Sequence, residues 1–201
     1  MESLPLNTSQ QLRDGVYQAY SGVAERPDAE HPFAVGRHFA TGLGYPIELL
    51  DRLPPASVRA FTGVSNVSMF AELAPGATVL DLGCGAGMDS MIAAERVGPT
   101  GTVIGLDFSP AMLARAQRAA SQPSWGNIHY AQAAAEDLPL NSASIDVALV
   151  NGLFNLNPAR EVIFQELARV VRPGGSVFAA ELILKEPTAA GEAGNLEDWF
   201  A

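Results

Sequence analysis

The sequence of 201 residues predicts an α/β fold, in which a mostly parallel sheet is doubly wound with helices on both faces. Two observations support this fold class. From Ala77 onward, short β-branched and apolar runs alternate with stretches of helical periodicity. Apolar residues make up 48% and charged residues 17% of the chain, which is typical of a globular domain.

The first half of this region supplies two strands and two helices. Residues 78–82 form a buried apolar run, and a glycine-rich turn separates them from a helix over 88–98. Residues 101–107 have the composition of a second strand. The next helix, over 109–120, begins with Ser109 as N-cap and proline at its first position.

The second half continues the alternation. Residues 127–132 and 144–150 are predicted as the third and fourth strands, and 158–171 as an amphipathic helix. An Arg-Pro-Gly-Gly run ends that helix, and 176–184 is predicted as the fifth strand. Because parallel strands need crossover connections, this order predicts a parallel sheet.

The chain divides into three predicted parts: an N-terminal cover over 1–75, a core over 76–185 and a tail over 186–201. Within the cover, 10–25 can form a helix. Residues 25–46 are rich in Pro and Gly, so we interpret them as irregular structure lying over the ligand end of the sheet.

Composition excludes several classes of partner. The formal net charge of −10 disfavours nucleic acid and anionic membrane surfaces as partners. Cys84 is the only cysteine, which excludes an internal disulfide and a cysteine-based zinc cluster, and we expect no metal site. The sequence shows neither a signal peptide nor an apolar run of about 18 residues, so we expect a cytoplasmic protein.

The glycine-rich turn contains Gly83, Gly85 and Gly87, with Asp81 just upstream. Its spacing, G-x-G-x-G, differs from the dinucleotide fingerprint G-x-G-x-x-G. A carboxylate at Asp81 would repel a pyrophosphate and attract an ammonium or sulfonium group, which favours S-adenosylmethionine (SAM) over NAD. Asp107 ends the second predicted strand, where an acidic side chain accepts hydrogen bonds from ribose hydroxyls.

These motifs resemble those of class I SAM-dependent methyltransferases, which have a Rossmann-like fold. "VLDLGCGAG", "VIGLDFSPAMLARA", "AEDLPL" and "LARVVRPGG" follow the order of that family's motifs. The small-molecule branch that includes the arsenite methyltransferases is the nearest likeness, through "GLGYPIELLDRLP" and "VNGLFNLNPAREVIFQELARVVRPGG". The resemblance implies transfer of a methyl group from SAM to a small-molecule acceptor by in-line displacement, with S-adenosylhomocysteine (SAH) as product.

The resemblance also implies a set of cofactor contacts. The glycines let the turn wrap the methionine part of SAM, Asp81 faces the ammonium through water, and Asp107 binds the ribose. Phe108 or Met112 packs against the adenine. The full set of expected cofactor-binding residues is Asp81, Gly83, Cys84, Gly85, Gly87, Asp107, Phe108, Met112, Ala135, Glu136 and Asn151.

The sequence departs from the family pattern at the adenine contact and at the acceptor site. Ala134 replaces the acidic residue that usually accepts from the adenine amino group, and Glu136 is a candidate substitute. Gly152 stands where the arsenite methyltransferases have a cysteine, and an earlier cysteine motif aligns with residues 63–67, which contain none. Because a single thiol cannot hold trivalent arsenic, we do not expect arsenite to be the acceptor.

The predicted fold also lacks strands six and seven of the family's sheet. The chain ends soon after the fifth predicted strand, with Trp199 and Phe200 near its terminus. An uncovered edge strand and two large aromatic side chains favour pairing with another copy. We hypothesise a homodimer or a fragment of a longer chain.

No residue is predicted as the catalytic base. Tyr17, Tyr20 and His38 are the candidates, since they belong to the cover and carry groups that transfer protons. Two other functions remain open at this point. One is a SAM-binding module that is catalytically inactive, which the Ala134 departure supports, and the other is an NAD-linked oxidoreductase.

Overall fold

Five strands form one sheet with the order β3-β2-β1-β4-β5, and every neighbouring pair is parallel. The computed structural model describes residues 6–121 and 123–183. The strands are β1 Thr78–Leu82, β2 Thr102–Asp107, β3 Ile128–Gln132, β4 Ile145–Asn151 and β5 Val171–Ala180. The predicted α/β class is confirmed.

Eight helices surround this sheet within the described residues. They are α1 Leu6–Glu25, α2 Gly36–Gly42, α3 Ile47–Arg52, α4 Pro55–Arg59, α5 Val67–Phe70, α6 Met88–Val97, α7 Pro110–Ala119 and α8 Arg160–Val170. The predicted start of α7 is confirmed, because the Ser109 hydroxyl accepts from the Met112 backbone N–H at 3.3 Å. Pro110 is its first helical residue.

The two faces of the sheet carry separate apolar clusters. Successive side chains of a strand point to opposite faces, so Val79 packs with α6 and Leu80 packs with α8. Asp81 follows Val79 by two residues and therefore points to the α6 face. This register places the Asp81 carboxyl group between the sheet and α6.

The cover is more helical than the sequence predicts. Residues 25–46 were expected to be irregular, yet Gly36–Gly42 form α2. Tyr45, Leu50 and Val67 are almost fully buried in the same cluster as α6. Tertiary packing of these side chains stabilises helices too short to be stable alone. The division of the chain at residue 75 stays a prediction.

The fifth strand begins five residues earlier than predicted. Val171 pairs with Ile145, and Ser176 pairs with Val147, so a bulge of extra residues lies between the two pairs. Gly174, at φ +82°, is one of these residues. The strand also ends earlier than predicted, because β5 stops at Ala180 and residues 181–183 are not strand. Residue 184, the absence of strands six and seven, and both Trp199 and Phe200 fall outside the described residues.

Within residues 6–121 and 123–183, the structure contains no helix that combines the length and the apolar character needed to cross a membrane.

Candidate functional site

A cavity of about 290 Å³ lies at the carboxyl ends of the central strands. Strand order reverses between β1 and β4, and ligands of open α/β sheets bind at such a reversal. The glycine turn, the ends of β1, β2 and β4, helix α1 and residues 57–63 of the cover all contribute to the lining.

The three glycines of the turn have different neighbours. All have positive φ, at +76° for Gly83, +52° for Gly85 and +81° for Gly87. A Cβ at Gly83 would lie 2.8 Å from Leu153 Cδ1, and one at Gly87 would lie 2.2 Å from Tyr130 Oη. Around Gly85 the nearest atom would be 4.0 Å away, which leaves its backbone accessible to a ligand.

Asp81 supplies the cavity with a buried carboxyl group. Its exposed fraction is 3%, and the Ser90 hydroxyl, one turn into α6, donates to it. Burial, together with the carboxylates of Asp89 and Asp107, raises the pKa of Asp81 to about 8, and the hydrogen bond from Ser90 opposes the rise. A cationic ligand group would relieve this penalty, and the role of Asp81 in cofactor binding stays a prediction.

Asp89, in the first turn of α6, is a cavity-lining residue that the sequence analysis missed. Tyr45 Oη donates to its Oδ1 at 2.5 Å, and Asn151 Nδ2 donates to its Oδ2 at 2.9 Å. The Ser68 hydroxyl is a third donor. Burial raises the pKa of Asp89, and these hydrogen bonds oppose the rise. A buried acid thereby ties the cover to the core.

Asn151 completes this connection at the end of β4. Its Oδ1 accepts from the backbone N–H groups of Val64 at 2.8 Å and Ser65 at 3.1 Å, and its Nδ2 donates to the Ser65 carbonyl at 2.7 Å. Asn151 lines the cavity, and its side chain holds the cover in place, while its contact with the cofactor stays a prediction. Residues 63–68, of which Gly63 lines the cavity, are therefore held in place, and this segment is called the fixed wall.

The other end of the cavity is built around Asp107. Its two carboxylate oxygens accept from the backbone N–H groups of Gly85 and Ser109, both at 2.8 Å. Burial raises the pKa of Asp107 to about 6, and these hydrogen bonds oppose the rise. The Phe108 ring lies beside it, with its centroid 5.9 Å from that of Tyr17.

Residues after β3 close this end. Ala134, Ala135 and Glu136 line the cavity, and Arg13 of α1 forms an ion pair with Glu136 at 2.6 Å. Helix α1 therefore covers the adenosine side of the predicted site. The Arg115 guanidinium holds the end of α1 by donating to the Ala24 carbonyl at 2.8 Å.

The remaining predicted residues fall into two groups, those that line the cavity and those that pack beneath it. Cys84, Tyr17 and Tyr20 line the cavity. Gly87 and Met112 pack beneath it and are not among its lining residues. Their place in the fold is structural support for the turn.

The candidates for a catalytic base differ in position and in ionisation. His38 is exposed on α2 and lies outside the cavity lining. Burial raises the pKa of Tyr20 well above its ordinary value, and Asp107 and Glu181 add to the rise. Tyr20 therefore remains a neutral phenol at neutral pH and can donate a hydrogen bond, but it cannot serve as a base.

The sequence analysis also missed the lining from residues 57–63. Ser57, Ala60 and Phe61 face the cavity, and Leu153 and Leu156 lie in the loop that follows β4. Their signal in the sequence is weak, because the cover is rich in Pro and Gly. Within the described residues, no cluster of three His, Cys, Asp or Glu side chains is arranged to hold a metal ion.

The sheet is parallel and has a glycine turn where the strand order reverses. Asp81 lies near the end of β1, and Asp107 ends β2. Together these features define an α/β protein that binds a nucleoside cofactor. The residues present fit SAM. Gly85 leaves its backbone open to the ligand, Asp81 is a buried carboxyl beside that turn, and Asp107 is a second buried carboxyl at the other end of the cavity.

Comparison with known proteins identifies the family. A family model described as a methyltransferase domain matches residues 73–199. The chain belongs to this family and is a class I SAM-dependent methyltransferase by fold and family. The NAD-linked alternative is not favoured.

Individual relatives agree with this assignment. An arsenite methyltransferase of Halobacterium salinarum is 38% identical over 125 residues, which are 62% of this chain and 32% of that protein. A demethylmenaquinone methyltransferase of Lactococcus lactis is 38% identical over 106 residues, which are 53% of this chain and 42% of that protein. The chain thus spans less than half the length of these two curated relatives.

A solved structure shares the fold. The crystal structure of an arsenic (III) S-adenosylmethionine methyltransferase from Chlamydomonas reinhardtii superposes with a TM-score of 0.56 and 29% sequence identity. The match covers 74% of this chain and 50% of that one.

Proposed function

We propose that this protein binds SAM along the cavity and transfers its methyl group to a small, largely apolar acceptor by in-line displacement. The observation that carries the proposal is the placement of two buried carboxyl groups, Asp81 and Asp107, beside a glycine turn in a single cavity. When bound, SAM supplies an electrophilic methyl group on a sulfonium that leaves as a neutral thioether.

The residues of this chain align the cofactor. Asp81 would hold the cationic amino group of the methionine half, and the backbone at Gly85 would lie against the ligand. Asp107 would accept from the ribose hydroxyls, and Phe108 would pack against the adenine. Fixed alignment accounts for much of the acceleration of a displacement reaction, because it removes the entropic cost of bringing the two reactants together.

The acceptor would enter between the fixed wall and the loop after β4. Phe61, Leu153 and Leu156 supply an apolar surface on that side. Since Tyr20 stays protonated and His38 lies outside the lining, we propose an acceptor whose nucleophilic atom needs no strong base.

Arsenite remains outside this proposal. A Cβ at Gly152 would lie 3.0 Å from Val64 Cγ1. Gly152 and Val64 are the two positions that align with arsenic-binding cysteines. They are therefore neighbours in the fold, and the Val64 side chain occupies the space between them. The printed names of the relatives include both arsenite and demethylmenaquinone, so they do not fix the acceptor.

The test begins with calorimetric titration of the protein with SAH and with NAD. We expect SAH binding, and NAD binding without SAH binding would refute the proposal. Transfer from methyl-labelled SAM is then measured across thiols, amines, phenols, quinols and metalloids. SAH binding without labelled product across this panel would favour the inactive SAM-binding module. His38→Ala is the matched control, because His38 is exposed and outside the cavity.

The cytoplasmic location, the homodimer and the absence of nucleic-acid partners stay predictions. A light-scattering mass equal to one chain would contradict the homodimer.

A further inference from the structure

The hydroxyl of Ser57 is a polar group without an internal partner. Ser57 is 0% exposed, it lines the cavity, and its Oγ has no hydrogen-bond partner among the described residues. Burying an unpaired hydroxyl costs free energy, and nearly all buried polar groups in proteins are paired. A hydroxyl left unpaired at a cavity wall therefore points to a ligand as its partner.

The position of Ser57 indicates which part of the cavity it serves. Ser57 belongs to α4, and Ala60 follows three residues later, a spacing that brings two side chains to the same side of a helical turn. Ala60 packs in one cluster with Ala86, the residue just before the last glycine of the turn. Ser57, Ala60 and Ala86 line the same cavity as the first two residues of α6.

The start of α6 has no side-chain cap on its first backbone N–H groups. This helix of ten residues has Gly87 as its N-cap, with no side-chain capping hydrogen bond, and both Met88 and Asp89 line the cavity. Unpaired N–H groups and the helix dipole make such an end favourable for negative charge. The Asp89 carboxyl does not occupy these groups, because its hydrogen bonds go to Tyr45, Ser68 and Asn151.

We propose that the Ser57 hydroxyl and the N-terminus of α6 form a subsite for the α-carboxylate of the cofactor's methionine half. Asp81, upstream of the same glycine turn, would hold the α-ammonium. Together the two subsites would recognise an α-amino acid as a zwitterion. This inference rests on the proposed function, since it takes SAM as the ligand.

The test compares two ligands that differ in one group. SAH carries the α-carboxylate, and decarboxylated SAH lacks it while keeping the amine. A hydrogen bond to a charged group contributes more to the binding free energy than one between neutral groups. Ser57→Ala should therefore weaken SAH binding about tenfold or more in calorimetry. Binding of decarboxylated SAH should change less than about twofold, within the effect of removing a neutral contact.

Two controls separate this role from a structural one. Ser142→Ala removes an exposed serine that is outside the cavity lining, and it should leave both affinities unchanged. Ser57→Ala should also leave the melting temperature of the ligand-free protein unchanged or raised, because it removes an unpaired buried hydroxyl. Ser57→Cys, a near-isosteric change with a weak donor, should show the same preferential loss of SAH binding.

Three results would overturn the subsite: equal losses for both ligands, no loss for SAH, or a lowered melting temperature in both Ser57 variants. Failure of the unaltered protein to bind SAH would refute the proposed function itself. That outcome is distinguishable, because it appears before any variant is made.

Discussion

Replacing Gly87 with alanine tests whether the last glycine of the turn is required for packing. Gly87 has a φ of +81°, and an added Cβ would lie 2.2 Å from Tyr130 Oη and 3.1 Å from Ala116 Cβ. The left-handed backbone costs a non-glycine residue about 1–2 kcal/mol. Overpacking in a filled interior costs about 1–3 kcal/mol more. We therefore expect the free energy of unfolding to fall by about 2–5 kcal/mol.

The assay is urea unfolding followed by circular dichroism, together with thermal melting. For a chain of this size each kcal/mol lowers the melting temperature by about 2–4 °C. Gly174→Ala is the matched control, since Gly174 has a φ of +82° and no heavy atom within 4 Å of an added Cβ. This control should lower the free energy of unfolding only by the cost of the left-handed backbone, about 1–2 kcal/mol.

A second variant tests the cause of the crowding. Tyr130→Phe in the Gly87→Ala background removes the nearest atom and should recover part of the loss, although Cζ, at 2.9 Å, remains close. If Gly87→Ala lowers the free energy of unfolding no more than Gly174→Ala, the crowding argument is wrong, and Gly87 is required only for its backbone conformation.

Three further predictions concern the acids and the cover. The pKa of Asp81 is raised from 3.8 to about 8, so its contribution to the stability of the ligand-free protein is full below pH 3.8 and is lost as pH rises through about 8. Asp81→Asn should flatten this part of the profile of melting temperature against pH, and an unchanged slope would contradict it. Asn151→Ala leaves two backbone N–H groups of the cover unpaired and should lower the unfolding free energy by about 2–4 kcal/mol in urea; a loss below about 1 kcal/mol would contradict the fixed wall. Arg13→Ala breaks an ion pair with Glu136 whose arginine side chain is 46% exposed, so thermal melting should show a change of less than about 1 kcal/mol. A larger loss would mean that this pair is a structural anchor of α1.

The sequence predicts the sheet well because its signals are local. Each strand is a short apolar run, and Ser109 with Pro110 marks a helix start without reference to the rest of the chain. The glycine turn and the two acids are equally visible, since their spacing from a strand end determines where they lie. The start of β5 was misplaced because a bulge depends on pairing with β4.

The wall of the site could not be predicted in the same way. Asp89 contacts Tyr45, Ser68 and Asn151, which are far from it in the sequence and share no periodic pattern. Ser57 lies in a Pro-rich segment with no motif. Its significance comes from what it lacks, an internal hydrogen-bond partner among the described residues, and only three-dimensional packing reveals this.

Cys84 gives the protein an internal reporter. It is the chain's one cysteine, it lines the cavity, and it is only 7% exposed. Burial raises the pKa of this thiol, which keeps the reactive thiolate scarce at neutral pH. A thiol-directed reagent should therefore label the protein slowly and through the cavity, and no other thiol of the chain contributes background. A bound ligand should slow the labelling further, so the labelling rate with and without ligand reports whether the cavity is occupied.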